Sequence, residues 1–232
     1  MSDWPQGKLE FVAITSCLTR ISVTRESKKG ASSPLHAYFL ERPDGNVLFN
    51  GPDRVPFYRE HAEFFEERGG IALQALTHAG DATKTCGFLQ ATFGAPVRIH
   101  EAELAAARFA TGLDIEAGFK SDEPLVAGVH GIHLPGHAVG YTAFRFESEG
   151  ATYLVCGHAV KQTGTNGWAV GVAPPMIPSA LRSLELLREL EVDFLLPDYT
   201  NRDPAPPVPF DRAARDEVAD RVRAYISKKH RV

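Results

Sequence analysis

In the stretch "QALTHAGDATKTCGF" (74–88), an apolar run stops at Thr77, and His78, Asp81 and Cys86 follow within nine positions. An imidazole, a carboxylate and a thiol this close together suit a metal site, the nucleophilic corner of an enzyme, or the remains of either. The spacing alone does not choose. Three further stretches hold residues of the same kinds: "HLPGHAVG" (133–140), "CGHAV" (156–160) and "LLPDYT" (195–200). The thiols read most simply as packing groups. Cys86, within "KTCGFLQ", is a small apolar side chain unless Lys84 and a helix N-terminus depress its pKa. Cys156 and His158, two apart on a strand, share a side and form a possible Cys–His pair. A strand-end histidine bonded to backbone is the plain reading of His78, His137, His100 and His133. His36, His61, His130 and His230 read as solvated or capping residues.

These loops need strands and helices to hold them. "KLEFVAI", "LTRISVTR" and "LHAYFLE" are rich in apolar and β-branched residues, and "RPDGNVLF" turns at Pro43-Asp44-Gly45 into a fourth strand. "DRVPFYREHAEFFEERGG" is expected to be a helix stopped by Gly69-Gly70. A strand "IALQALT", a helix "KTCGFLQATFG", a short strand "APVRI" and a helix "EAELAAARFATG" follow. After an irregular stretch from Asp114 to Val129, strands return in "GIHLP", "GYTAFRFE" and "ATYLVC". "GTNGWAVGVAPPMIP" reads as a loop. The helix "SALRSLELLREL" has a seam of Leu181, Leu184, Leu187 and Leu190, and "VDFLLP" is a last strand. Residues 201–232 are a Pro-rich connector and a closing helix with Ala214, Val218, Val222, Tyr225 and Ile226 on one face. Helices and strands do not alternate throughout, so a layered α/β sandwich is expected rather than a wound parallel sheet.

The bulk numbers exclude some functions. The chain has 232 residues, 44% hydrophobic and 23% charged, with a formal net charge of -4. That length supports a substantial core, and the charge argues against a nucleic-acid or membrane-surface binder. No apolar run approaches the ~20 residues of a membrane span. The start "MSDWPQGKLEF" lacks the order of a signal peptide. Three widely spaced cysteines without a CxxC pair fit a reducing compartment, so a cytoplasmic protein is expected. No glycine-rich phosphate loop follows a strand.

The order of the four loops and their surroundings resembles the metallo-β-lactamase superfamily, which also includes glyoxalase II. The resemblance runs from "LEFVAI" through "LLPDYT". "NVLFNG" looks like the early strand ending in a "LIDTG"-type turn. "LTH", a helix, and then "FGAPVRIHEAEL" follow the family's first metal motif and its sequel. "LPGHAVGYTAFRF" is similar to "TPGHTPGS" and its strand, "YLVCGHAV" stands at "LFTGDAL", and "LLPDYT" stands at "PGHG". The resemblance implies a four-layer αβ/βα sandwich, with residues 1–232 as a single domain.

The family's HxHxDH motif, two later histidines and a bridging aspartate hold two metals, which make hydroxide available near neutral pH. Here His78 matches the first histidine and His137 the one in "PGH". Without a gap, Gly80, Ala82 and Thr83 take the other positions of the first motif. With a one-residue deletion, Asp81 keeps the aspartate role. His158 stands at the bridging aspartate and Tyr199 at the last histidine. A neutral imidazole does not bridge two dications as a carboxylate does, so the two-metal site is not expected.

A cysteine-based or otherwise metal-free enzyme stays open as a third reading behind two others. One is a cleft that has lost two-metal hydrolysis and serves binding or structure, with no cofactor. The other is a mononuclear hydrolase of a small ester, thioester or lactone. Its single zinc, manganese or iron would sit among His78, His137 and His158, with Asp81 as fourth ligand, orienting group or catalytic residue. Tyr199 and Trp168 are the candidates for lining the substrate cleft. The expected partner is a small molecule, with no nucleic acid and no membrane, and the extra C-terminal helix could serve as a homodimer arm.

Overall fold

The structure, a computed structural model, describes residues 9–26, 32–115, 118–120, 123–163, 167–169, 171–172, 174–199 and 206–230. Two six-stranded mixed sheets face one another. The first has the order β1 (Leu9–Ala13), β2 (Leu18–Glu26), β3 (Ser32–Leu40), β4 (Val47–Phe49), β5 (Leu73–Ala75) and β6 (Val97–Arg98). Four helices belong to this half: α1 (Val55–Glu60), α2 (Ala62–Glu66), α3 (Lys84–Phe93) and α4 (Leu104–Thr111).

In the second half the chain runs β7 (Pro124–Val126), β8 (Val129–His133), β9 (Thr142–Ser148), β10 (Ala151–Gly157), β11 (Lys161–Thr163), β12 (Gly167–Ala169), α5 (Ile177–Glu189), β13 (Phe194–Pro197), β14 (Val208–Pro209) and α6 (Arg212–His230). The second sheet has the order β14-β13-β10-β9-β8-β7, and β11 and β12 form a separate hairpin.

Strand alternation makes the four layers. On β3, Tyr38 and Leu40 face the second sheet, whereas Ala37 and Phe39 face α1 and α2. On β10, Tyr153 and Val155 face the first sheet, and Leu154 and Cys156 face α5 and α6. Leu195 and Leu196 of β13 divide in the same way. Between the sheets, Phe49 stacks on Phe146 with centroids 5.6 Å apart. Such a pair contributes about 0.5–1.5 kcal/mol beyond its buried area. The expected sandwich is therefore what forms: helices, sheet, sheet, helices.

Several local expectations change. The helix expected from Asp53 is two short ones, broken at His61, whose ring packs between Phe11 and Phe57. The stretch expected to be irregular contains β7, and the expected loop after Thr163 holds β12, paired with β11. His36 is neither solvated nor a cap. It is buried on β3, with Nδ1 2.9 Å from Ser22 Oγ. His100 does cap, accepting the Ala102 N–H at 3.2 Å, and His130 is exposed. The closing helix packs as expected, burying Val218, Val222 and Ile226. Residues 201–205 of the expected connector and the side chain of His230 lie outside the described residues. Among the described residues, no helix is long and apolar enough to cross a membrane.

Candidate functional site

Loops after β5, β8, β10 and β13 meet above the gap between the sheets. The first is stitched to both sheets. Thr77 N–H donates to Asn50 Oδ1 at 3.0 Å, and Thr142 N–H donates to Thr77 O at 2.9 Å. A single 3-10 turn, Ala79–Asp81, then folds Asp81 back towards His78. The Thr77 hydroxyl donates to Asp81 Oδ2 at 2.6 Å, and His78 Nδ1 stands 2.8 Å from the same oxygen. Burial works to raise the Asp81 carboxyl, but the contacts with His78 and Thr77 together outweigh it and hold the group below its ordinary range.

Gly80 leaves room for the His78 ring. A Cβ on Gly80 would collide with Nε2 of the His78 ring, so the ring fills the space that a side chain there would need.

His137 lies in the turn after β8. Its Nδ1–H donates to Gly171 O at 2.8 Å. A carbonyl can only accept, so this ring keeps its lone pair on Nε2. Burial lowers the pKa of His137, against the opposing pull of the Gly171 carbonyl.

His158 is placed by a break in strand alternation. The β10–β13 register shifts between Val155 and Gly157, and Gly157 has φ +48°. A side chain there would be strained and would overlap the Tyr141 hydroxyl. That hydroxyl accepts the N–H groups of His158 and Ala159 and donates to Cys156 O at 3.1 Å. The expectation that Cys156 and His158 share a side fails at this bulge. Cys156 stays in the core, with Sγ 3.7 Å from Val160 O, and burial pushes its thiol far up. Cys86 is likewise buried, with its thiol raised by burial.

Asp198 is the group that sequence reasoning missed. It points at the site, with Oδ2 2.6 Å from His158 Nδ1. It is 5% exposed, burial raises its carboxyl, and Oδ1 has no hydrogen-bond partner among the described residues. The available signal was its position one residue past a strand end.

The three imidazoles gather closely. Ring centroids are 4.8 Å apart for His78 and His137, 5.5 Å for His78 and His158, and 5.4 Å for His137 and His158. Among the described residues, one group of donor atoms lies within 4.8 Å of one another, from His78, Asp81 and His158. Two imidazoles and a carboxylate suit one divalent ion with an open position. Tyr199 is half-buried and bridges Leu35 of β3, and Trp168 is buried against the α5–α6 core.

Solved structures decide the fold. VMB-1 at pH 5.5 superposes with a TM-score of 0.73 at 11% identity, covering 95% of this chain and 99% of that one. This is the metallo-β-lactamase fold. The metallo-β-lactamase FIM-1 from Pseudomonas aeruginosa, in its mono-zinc form, gives 0.68 at 15% identity, over 91% and 95% of the two chains. A metallo-β-lactamase family protein from Thermus thermophilus gives 0.69 at 20% identity, over 93% and 82%. No protein-family model and no curated protein sequence matches the chain. On the metallo-β-lactamase fold, the site described above occupies the loops at the strand ends.

Proposed function

We propose that this chain is a mononuclear metal-dependent hydrolase of a small ester, thioester or lactone, with His78, Asp81 and His158 holding one divalent ion. The observation that carries this reading is the clustering of those three donor groups within 4.8 Å. Further support comes from the contacts behind them: each of the three imidazoles has its Nδ1 turned to an oxygen acceptor, Asp81, Gly171 O or Asp198. Imidazoles that ligate metals characteristically use their other nitrogen in this way.

When bound, zinc, manganese or iron at this site would polarise a carbonyl and lower the pKa of the attacking water. The remaining roles belong to the chain. Asp198 orients His158. Burial keeps His137 neutral near pH 7, so its Nε2 takes the proton of the attacking water and returns it to the leaving group. The apolar walls of Leu134, Val160 and Leu184 flank His137.

The test is elemental analysis of protein purified without chelator, with turnover measured on activated esters, thioesters and lactones. One equivalent of metal is expected, lost in His78→Ala and His158→Ala. His137→Ala should keep the metal and lose turnover, whereas loss of both would make His137 a ligand. Metal-free wild-type protein whose melting temperature ignores added zinc, manganese and iron would sink the proposal in favour of a binding cleft.

A further inference from the structure

Two of the loops that carry imidazoles share one buried carboxylate outside the donor group. Glu103 ends the 3-10 turn Glu101–Glu103 before α4 and is 7% exposed. Its Oε2 accepts the Ala79 N–H at 3.0 Å, and its Oε1 accepts the Gly140 N–H at 2.8 Å. Ala79 directly follows His78. Gly140 lies three residues after His137 and directly before Tyr141, whose hydroxyl holds the His158 N–H. The two amides belong to loops of opposite sheets, since β5 is in the first sheet and β8 and β9 are in the second.

We propose that Glu103 is a positioning residue, an anionic clamp that fixes the His78 loop against the His137 loop and so sets the spacing of the imidazoles. A carboxylate suits this task because both oxygens accept, one for each amide, whereas a carboxamide has a single acceptor oxygen. Gly140 is fitted to it: a Cβ there would stand 2.7 Å from Glu103 Cγ and 2.9 Å from His100 Nδ1. A purely local role would need only the first turn of α4. Instead, both partners lie far away in sequence, each beside a residue of the site. The consequence for metal binding rests on the single-metal reading above, but the clamp itself does not.

The test uses the full chain in two states. In metal-free protein, the amide proton resonances of Ala79 and Gly140 and the imidazole resonances of His78 and His137 are compared between wild type, Glu103→Gln and Gly140→Ala. Both amides and both imidazoles should move, and Gly140→Ala should reproduce the pattern with the carboxylate still present. In chelator competition, zinc affinity should fall about 10- to 100-fold in Glu103→Gln, the usual effect of removing a group that orients ligands. Glu103→Ala should lose more.

A lowered melting temperature with unmoved imidazole resonances and wild-type zinc affinity would make Glu103 structural only and overturn the proposal. If wild-type protein binds no metal, the hydrolase reading fails, yet the imidazole resonances still judge the clamp. Unmoved, they overturn it.

Discussion

His158 Nδ1 stands 2.6 Å from Asp198 Oδ2 because β10 and β13 run parallel with Gly157 opposite Pro197. The residues just past those two positions are therefore neighbours. Here the imidazole follows β10 and the carboxylate follows β13. Two adjacent strand ends thus bring a carboxylate and an imidazole together.

Asp198→Asn separates function from stability. Burial raises the Asp198 carboxyl, so the folded chain holds this proton more tightly than the unfolded chain does. Its ionised form therefore detracts from stability above the ordinary carboxylate range, and that cost is relieved as pH falls. The neutral variant should melt at the wild-type temperature or higher while binding metal about 10- to 100-fold more weakly. Thermal melts and chelator competition check both halves, and unchanged metal affinity would remove Asp198 from the site.

Gly80→Ala should disturb His78 without touching a charged group. The added methyl needs the space of the ring's Nε2, so the ring must turn away from its contact with Asp81. We expect metal occupancy to fall while the global fold is retained, because residue 80 is not in the core. Full occupancy in this variant would show that the ring's present orientation is not needed.

Tyr141→Phe removes the acceptor of two amides and the donor to Cys156 O. The Ala159 N–H keeps its bond to Cys156 O at 2.9 Å, which leaves the His158 N–H unpaired, so the loss should be about 1–3 kcal/mol in urea unfolding. Metal affinity should fall with it, because Tyr141 fixes the backbone of His158. A variant as stable as wild type would show that water or a shifted backbone replaces the hydroxyl.

His36, whose N–H donates to Asp198 O at 2.7 Å, makes stability depend on pH. Burial, aided by Arg20, lowers it from its ordinary 6.5 to about 4. The unfolded chain then binds the extra proton between those values. Its contribution is full above about pH 6.5 and is lost as pH falls towards 4, a total of about 3 kcal/mol. Urea midpoints of wild type and His36→Gln should converge in that window, and parallel pH profiles would refute the assignment.

Much of the fold was legible in local pattern. The alternation in "YTAFRFE" becomes β9, with Ala143 on one face and Phe144 and Phe146 on the other. The leucines of α5 at 184 and 187 are buried as their spacing requires. What the pattern hid was each departure from regular geometry. The helix break at His61, packed on Phe11, and the bulge at Gly157, opposite Pro197, involve neighbours remote in sequence.

The residue types His78, Asp81, His137 and His158, and the strand ends that carry them, follow from the sequence by itself, because apolar runs and glycines mark where strands stop. Which atoms meet was decided only by tertiary structure. Asp198 became part of the site through the parallel pairing that sets Gly157 opposite Pro197, and the His78 ring came to fill the space above Gly80. Both are contacts between parts of the chain that no local periodicity encodes: side-chain direction at a strand end is set by the bulge, the turn and the opposing sheet.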